Sequence, residues 1–282
     1  MNFFRSLFTK NTSNDTAPVS STPPAADPFI NSRCGEKNVV IYFAPHQDDE
    51  LLTLGVDACR TLMDGETDVH VVLCTDGSKS NKRFEIGNGK ECPLHPGIHQ
   101  YTLDIPQFIT ARDIEFRNSC DALGFAPGAV HFYPRRLIDS FLSVEAAEAT
   151  IRSVLAQFPQ GAAVRTISPF GGKKQHADHR NLGLAALNLY RTGEIQDLKL
   201  FVEPYCIDSC QAEYPDLHLT ALPATQEEKH RISQGIAAYS LWNPEQGRYA
   251  IGFHSVTSIF KEFMNNPVAW YHSPQDIPQS EV

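Results

Sequence analysis

No stretch of this chain approaches the roughly 18 to 20 consecutive apolar residues that a membrane-spanning helix requires, so no transmembrane segment is expected. The opening segment, Met1 to Lys10, also lacks the uninterrupted apolar run of about 7 to 15 residues that marks a signal peptide. Basic residues are the scarcer charges, 24 Lys and Arg against 33 Asp and Glu, for a formal net charge of −9. Phosphate backbones are held by concentrated Lys and Arg, so this balance argues against a nucleic-acid partner. Cysteine usage has no disulfide pattern: Cys34, Cys59, Cys74, Cys92, Cys120, Cys206 and Cys210 are odd in number and scattered. Reduced, packing cysteines in the cytoplasm are the expectation. Cys206 and Cys210 stand four apart with no second Cys/His pair nearby at zinc-ribbon spacing, so no structural zinc is assigned to them. A Gly-x-Gly-x-x-Gly is missing from the first strand-to-helix turn, and no Gly-x-Ser-x-Gly occurs. These absences remove the dinucleotide-binding and serine-hydrolase readings.

What is present begins with a tail. Asn11 to Asp27 is Ser, Thr, Pro, Ala and Asn with almost no large apolar residue, so residues 1–30 are read as an unfolded linker. Phe3, Phe4, Leu7 and Phe8 offer it at most a weak peripheral membrane contact. Residues 31–275 are read as a single α/β domain and 276–282 as a second tail.

Strand-like apolar runs at Val39 to Ala44, Val69 to Cys74, Val130 to Tyr133, Ala162 to Ile167 and Leu198 to Val202 alternate with helical periodicities. Helices are expected from Leu51 to a stop at Gly65, from Thr110 to Leu123, from Ser143 to Phe158, and from His179 to Tyr190. Two more are expected from Thr225 to Tyr239, opened by a Thr225-x-x-Glu228 capping box, and from Val256 to Met264. Residues 78–108 and 204–224 show no clear period. Alternation of this kind builds a mostly parallel central sheet with helices on both faces, a three-layer sandwich whose ligands bind beyond the carboxyl ends of the strands.

The unusual chemistry sits at those ends. Val39 to Ala44 stops at Pro45 and is followed by His46, Asp48, Asp49 and Glu50. Carboxylates this dense after a buried strand must be solvated, paired or bound to a cation. Asp76 follows the second strand, and His176-Ala177-Asp178-His179 follows the strand ending at Ile167. Two imidazoles and a carboxylate suit Zn²⁺ with a position left for water, although another divalent metal remains open. His46, Asp49 and His179 are the expected ligands, which leaves Asp48 as a general base beside the water. His176 would stabilise an oxyanion or donate a proton to the leaving amine, and Asp178 would orient a histidine.

These residues resemble the LmbE-like (PIG-L) family of zinc-dependent N-deacetylases. The family's Pro-His-Pro-Asp-Asp-Glu is similar to Pro45-His46-Gln47-Asp48-Asp49-Glu50, and its His-Pro-Asp-His to His176-Ala177-Asp178-His179. Gly55, Gly65, Thr75-Asp76-Gly77 and the helix bearing Arg112, Glu115, Ser119, Leu123 and Gly124 match further motifs. Gln47 and Ala177 replace two prolines and Ser119 a small Ala, and none of these removes a functional group. The resemblance spans about residues 38–260. It implies a Rossmann-like fold and removal of an N-acetyl group from an N-acetylglucosamine-type sugar or glycoside. It also implies zinc at His46, Asp49 and His179, Asp48 as base, and a substrate contact from Arg112. By the same resemblance His254 is a candidate late histidine over the site, in places supplied by a neighbouring subunit, so a homo-oligomer stays open. Asp139, after Arg135 and Arg136, is a candidate for sugar hydroxyls. An amidase or esterase on another substrate, an iron site for oxygen chemistry, and an inactive sugar-binding homologue are the rival readings.

Overall fold

The structure, a computed structural model, describes residues 38–278. The expected tail at 1–30 lies outside the described residues, as do the last four positions of the C-terminal one. Chain order starts with β1 (Asn38–Ala44), two short helices α1 (Asp49–Leu52) and α2 (Gly55–Asp64), and β2 (Thr67–Thr75). A long connection carrying α3 (Lys82–Glu85) leads to α4 (Ile105–Leu123), β3 (Val130–Leu137), α5 (Val144–Leu155) and β4 (Ala163–Ile167). Then come α6 (Ala177–Arg191), β5 (Leu198–Val202), α7 (Ile207–Glu213), β6 (Thr220–Pro223) and α8 (Gln226–Ser240). A small ribbon of β7 (Trp242–Asn243) and β8 (Arg248–Tyr249) precedes α9 (Ile251–Ser255), α10 (Thr257–Asn265) and β9 (Val268–His272).

The main sheet has seven strands in the order β3-β2-β1-β4-β5-β9-β6. The first five are mutually parallel, and β9 joins antiparallel between β5 and β6. This is the mostly parallel Rossmann-like sandwich expected. Strand β1 shows why it has three layers. Val40, Tyr42 and Ala44 pack with Val56 and Cys59 of α2, Phe116 and Leu123 of α4 and Ile236 of α8. The alternate residues Val39, Ile41 and Phe43 pack with Ile151 of α5 and Leu182 and Ala185 of α6. A strand buried on both faces reads as a continuous apolar run, and each fully buried side chain contributes about 1.5–3 kcal/mol of transfer free energy.

The strand order also fixes where a ligand can enter. The chain builds outward from β1 to β2 and β3, then returns to lay β4 on the opposite side of β1. Connections therefore leave β1 and β4 in opposite directions, and a crevice opens at their carboxyl ends. His46 lies two residues beyond β1, and α6 starts after the loop that follows β4.

Several element boundaries depart from the sequence reading. Helix α4 begins at Ile105, five residues before Thr110, on a capping box made by Asp104 and Gln107. Pro106 falls in its first turn, where a missing N–H costs nothing, and Thr110 instead bonds back to the Pro106 carbonyl at 2.9 Å. The expected helix over 51–64 is two pieces, because Leu54 N–H reaches the Asp49 carbonyl (3.0 Å) in a wide turn. Residues 204–224 hold α7 and β6, and the expected last helix is α10, with α9 as an additional short helix before it. Strand β9 went unread, since Val268 to His272 is only half buried and includes Trp270, Tyr271 and His272. Ile277, just beyond the expected domain end, is buried against the core.

Helix α6 lies unusually close to β4, and one residue permits it. A β-carbon on Gly183 would stand 2.5 Å from the Ile167 carbonyl oxygen and 2.6 Å from Pro169 N, both backbone atoms that cannot rotate away. Gly183 is one turn beyond His179. Gly183→Ala should therefore lower the unfolding free energy by about 1–3 kcal/mol, read as a shift of the urea midpoint at unchanged slope.

Candidate active site

The turn after β1 carries the local strain. Asp48 has φ 108°, a left-handed conformation that side chains rarely adopt. Three contacts hold it there. Asp48 N–H donates to Glu50 Oε2 (3.0 Å), the Tyr239 hydroxyl donates to Glu50 Oε1 (2.8 Å), and His46 N–H donates to Asp49 Oδ2 (3.0 Å). Glu50 thus ties the turn to α8, and burial raises its carboxyl to about 8. Arg112, 5% exposed, reaches in from α4 and donates to the carbonyls of Gly77 (2.8 Å) and Gln47 (2.9 Å). Its guanidinium braces the turn after β1 against the turn after β2.

His46 and His179 are each gripped from behind. His46 Nε2 lies 3.0 Å from Asp178 Oδ2 and 3.3 Å from Asp139 Oδ1. Asp178 is itself held by the N–H groups of Ser140 (2.7 Å) and Leu142 (3.1 Å), and Asp139 accepts from Lys79 N–H (3.2 Å). Asp139 thus faces His46. His179 Nδ1 donates to Glu203 Oε1 at 2.6 Å, and Glu203 is fully buried.

With those ring atoms engaged, the opposite ones converge. His46 Nδ1 and His179 Nε2 are 2.9 Å apart, His179 Nε2 is 3.2 Å from Asp49 Oδ2, and His46 Nδ1 is 3.8 Å from the same oxygen. Donors around one tetrahedral Zn²⁺ stand about 3.3 Å apart, as bond lengths of about 2.0–2.1 Å dictate. Donor type, spacing and the carboxylates behind both imidazoles all fit a divalent cation.

The charges point the same way. Burial pulls the His179 pKa down, but Asp49 and Glu203 outweigh it and hold the ring well above its usual value. His46 is likewise raised, by Asp139 and Asp178 against burial. Both rings sit where positive charge is favoured. Burial first, then the charge of Asp49, pushes Asp48 up to about 7, while Arg112, His46 and His179 draw it down. A cation among these donors would act as those positive groups do, favouring the Asp48 carboxylate.

His176 stands at the rim with its side chain 39% exposed and its ring 4.8 Å from that of His46. Its Nδ1 accepts from Asp178 N–H (3.2 Å), so the ring proton is on Nε2. Burial, then the neighbouring His46 and His179, lowers its pKa. His254, the candidate late histidine, has its Nε2 3.2 Å from both Cys92 Sγ and His95 Nε2. Glu203 was missed by sequence reasoning, yet it had a signal. Like His46, it is a polar residue directly after a buried strand, here β5, at the carboxyl edge of the sheet.

The profile described as PIG-L: GlcNAc-PI de-N-acetylase matches residues 41–190, a span that contains every residue above except Glu203, Tyr239 and His254. No curated protein matches the chain in sequence. Among solved structures, the A40926 pseudoaglycone deacetylase Dbv21 aligns with TM-score 0.51 at 20% identity, covering 84% of this chain and 97% of that one. The N,N'-diacetylchitobiose deacetylase from Pyrococcus horikoshii aligns with TM-score 0.52 at 14% identity, covering 88% of this chain and 87% of that one. At these identities the two structures establish the fold.

Glu203→Gln removes the charge behind His179 while keeping the shape, and should weaken metal affinity by about 10–100-fold in a competitive chelator titration. Asp139→Asn should cost less, because Asp178 remains on the same His46 nitrogen.

Proposed function

The chain belongs to the PIG-L family, and on that premise we propose that it is a metal-dependent hydrolase that removes the acetyl group from an N-acetylated amino sugar. The observation that carries the proposal is the convergence of His46 Nδ1, Asp49 Oδ2 and His179 Nε2 within 2.9–3.8 Å, beside the half-buried carboxyl of Asp48. His46, Asp49 and His179 would hold the cation, and their two-imidazole, one-carboxylate chemistry suits Zn²⁺. When bound, such an ion polarises a carbonyl and lowers the pKa of water toward about 7.

The chain's own residues supply the rest. Asp48 takes the proton of the attacking water as its oxygen bonds to the amide carbon. His176 donates from Nε2 to the carbonyl oxygen as negative charge grows there. Its lowered pKa and its Nδ1 contact support this neutral donor role over that of an acid for the leaving amine. Asp48 then returns its proton to the amine nitrogen as the carbon–nitrogen bond breaks, releasing acetate and the free amino sugar. Asp178, Asp139 and Glu203 keep the two imidazoles in the required tautomers.

A carbohydrate substrate is supported by the rim. Phe141, 67% exposed, lies between Ser140 and Leu142, whose amides hold Asp178. Tyr205, 38% exposed, is two residues beyond Glu203 and feels the charges of Glu203, Asp49 and Asp48. Flat aromatic faces at a polar cleft suit the C–H faces of a sugar ring. We also place the protein in the cytoplasm. The six cysteines among the described residues are free thiols, and no described helix is long and apolar enough to cross a membrane.

Acetate release assayed against a panel of N-acetylhexosamine glycosides, sugar nucleotides and oligosaccharides tests the substrate class. Activity confined to O-acetyl esters would sink it. Asp48→Asn should lower kcat by about 10²–10⁴-fold with metal content unchanged, since Asn tolerates the left-handed backbone of this position. A fully active Asp48→Asn enzyme would refute the assigned base.

A further inference from the structure

A second group of metal-ligating side chains lies in the long connection between β2 and α4, sharing no residue with the site above. Cys92, His95 and His99, in the spacing Cys-x-x-His-x-x-x-His, meet His254 of α9. Cys92 Sγ is 3.2 Å from His254 Nε2, His254 Nε2 is 3.2 Å from His95 Nε2, and His95 Nε2 is 3.3 Å from His99 Nε2. All four donor atoms lie within 4.8 Å of one another.

The hydrogens do not suffice to join these atoms to each other. His95 Nδ1 is 3.2 Å from the Pro96 carbonyl, and His254 Nδ1 is 2.6 Å from the Ala250 carbonyl. A carbonyl oxygen only accepts, so both rings carry their proton on Nδ1 and turn a lone pair inward from Nε2. The Cys92 thiol can serve one of those lone pairs and His99 the other, but the facing pair on His95 and His254 is left without a proton. Such an arrangement is repulsive unless a cation lies among the four donors.

The surroundings have the form of a metal knuckle. Leu94 N–H points at Cys92 Sγ (3.4 Å), a contact that favours the thiolate. Cys92 N–H donates to the Gly97 carbonyl (3.3 Å), and Glu91 and Ile98 form an antiparallel bridge, so a tight turn holds Cys92, His95 and His99 together. The His95 ring stacks on Trp242 at 3.8 Å between centroids. From the other side Glu115, fully buried on α4, accepts from the N–H groups of Ile251 (2.7 Å) and Gly252 (2.9 Å), which fixes the helix bearing His254.

We propose that Cys92, His95, His99 and His254 form a structural Zn²⁺ site that clamps the connection between β2 and α4 to α9. One thiolate and three imidazoles exclude Mg²⁺ and Ca²⁺, which take oxygen ligands, and four protein donors close the tetrahedron. The clamp joins positions 162 residues apart in the chain, a long closure for one ion to secure.

The test uses the full chain stripped of metal by chelator and reloaded with Co²⁺ or Zn²⁺ alone. Co²⁺ should produce a thiolate charge-transfer band that persists in His46→Ala and is lost in Cys92→Ser, with one equivalent of tightly bound metal lost in each variant. That separation keeps the result independent of the proposed catalytic metal. Because Cys92→Ser could fail to fold, a second measurement uses the unaltered protein: one added equivalent of Zn²⁺ beyond catalytic-site occupancy should slow alkylation of Cys92 at least about tenfold, mapped by peptide mass spectrometry. Absence of the thiolate band from the unaltered protein, or Cys92 alkylation at equal rates with and without Zn²⁺, would overturn the proposal.

Discussion

The structure depends on one electrostatic constraint: carboxylates placed at the end of a sheet buried on both faces must be matched by positive charge. Asp48, Asp49, Asp139, Asp178 and Glu203 all meet at the carboxyl ends of β1, β4 and β5, around two imidazoles and the Arg112 guanidinium. The carboxylates behind His46 and His179 fix which ring nitrogens remain free, and those are the atoms that converge with Asp49. A cation at that point relieves the repulsion that the protein has otherwise concentrated there. The chemistry proposed for the chain follows from the same imbalance.

Helix α4 carries this constraint to the rest of the molecule. Its Arg112 ties the turns after β1 and β2 together, and three residues later its Glu115 caps α9. One helix therefore braces the turn after β1 and also positions His254 beside Cys92, His95 and His99. Among the described residues, three non-glycine positions have positive φ: Asp48, Ser140 and Ala250. Asp48 and Ser140 border the candidate catalytic site, and the Ala250 carbonyl takes the His254 ring proton. Strain of this kind persists only where surrounding contacts over-determine the backbone, and here it marks both clusters.

Much of this could be read from residues alone. The apolar runs of β1, β2, β4 and β5 and the capping box at Thr225 and Glu228 stand where periodicity and side-chain chemistry put them. The order of elements implied a parallel sheet with a site at its carboxyl edge. Boundaries were less legible, as at α4, where Asp104 and Gln107 close a reciprocal capping box ahead of Thr110, whose hydroxyl bonds back to the Pro106 carbonyl. Strand β9, paired between β5 and β6, escaped because its half-buried side chains need not be apolar.

The opening stretch, Pro45 to Glu50, shows the division most plainly. Its composition determined by itself that a buried strand ends in an acid-rich turn with one imidazole, and hence that a cation belongs nearby. Roles within it came only from tertiary contacts, because a side chain's function depends on which atoms lie within about 3 Å, and those come from distant parts of the chain. Arg112 reaches the Gln47 carbonyl, Asp139 faces His46, Glu203 holds His179, and His254 meets His95. No spacing in the chain expresses such proximities, since folding of the sheet and helices brings them about.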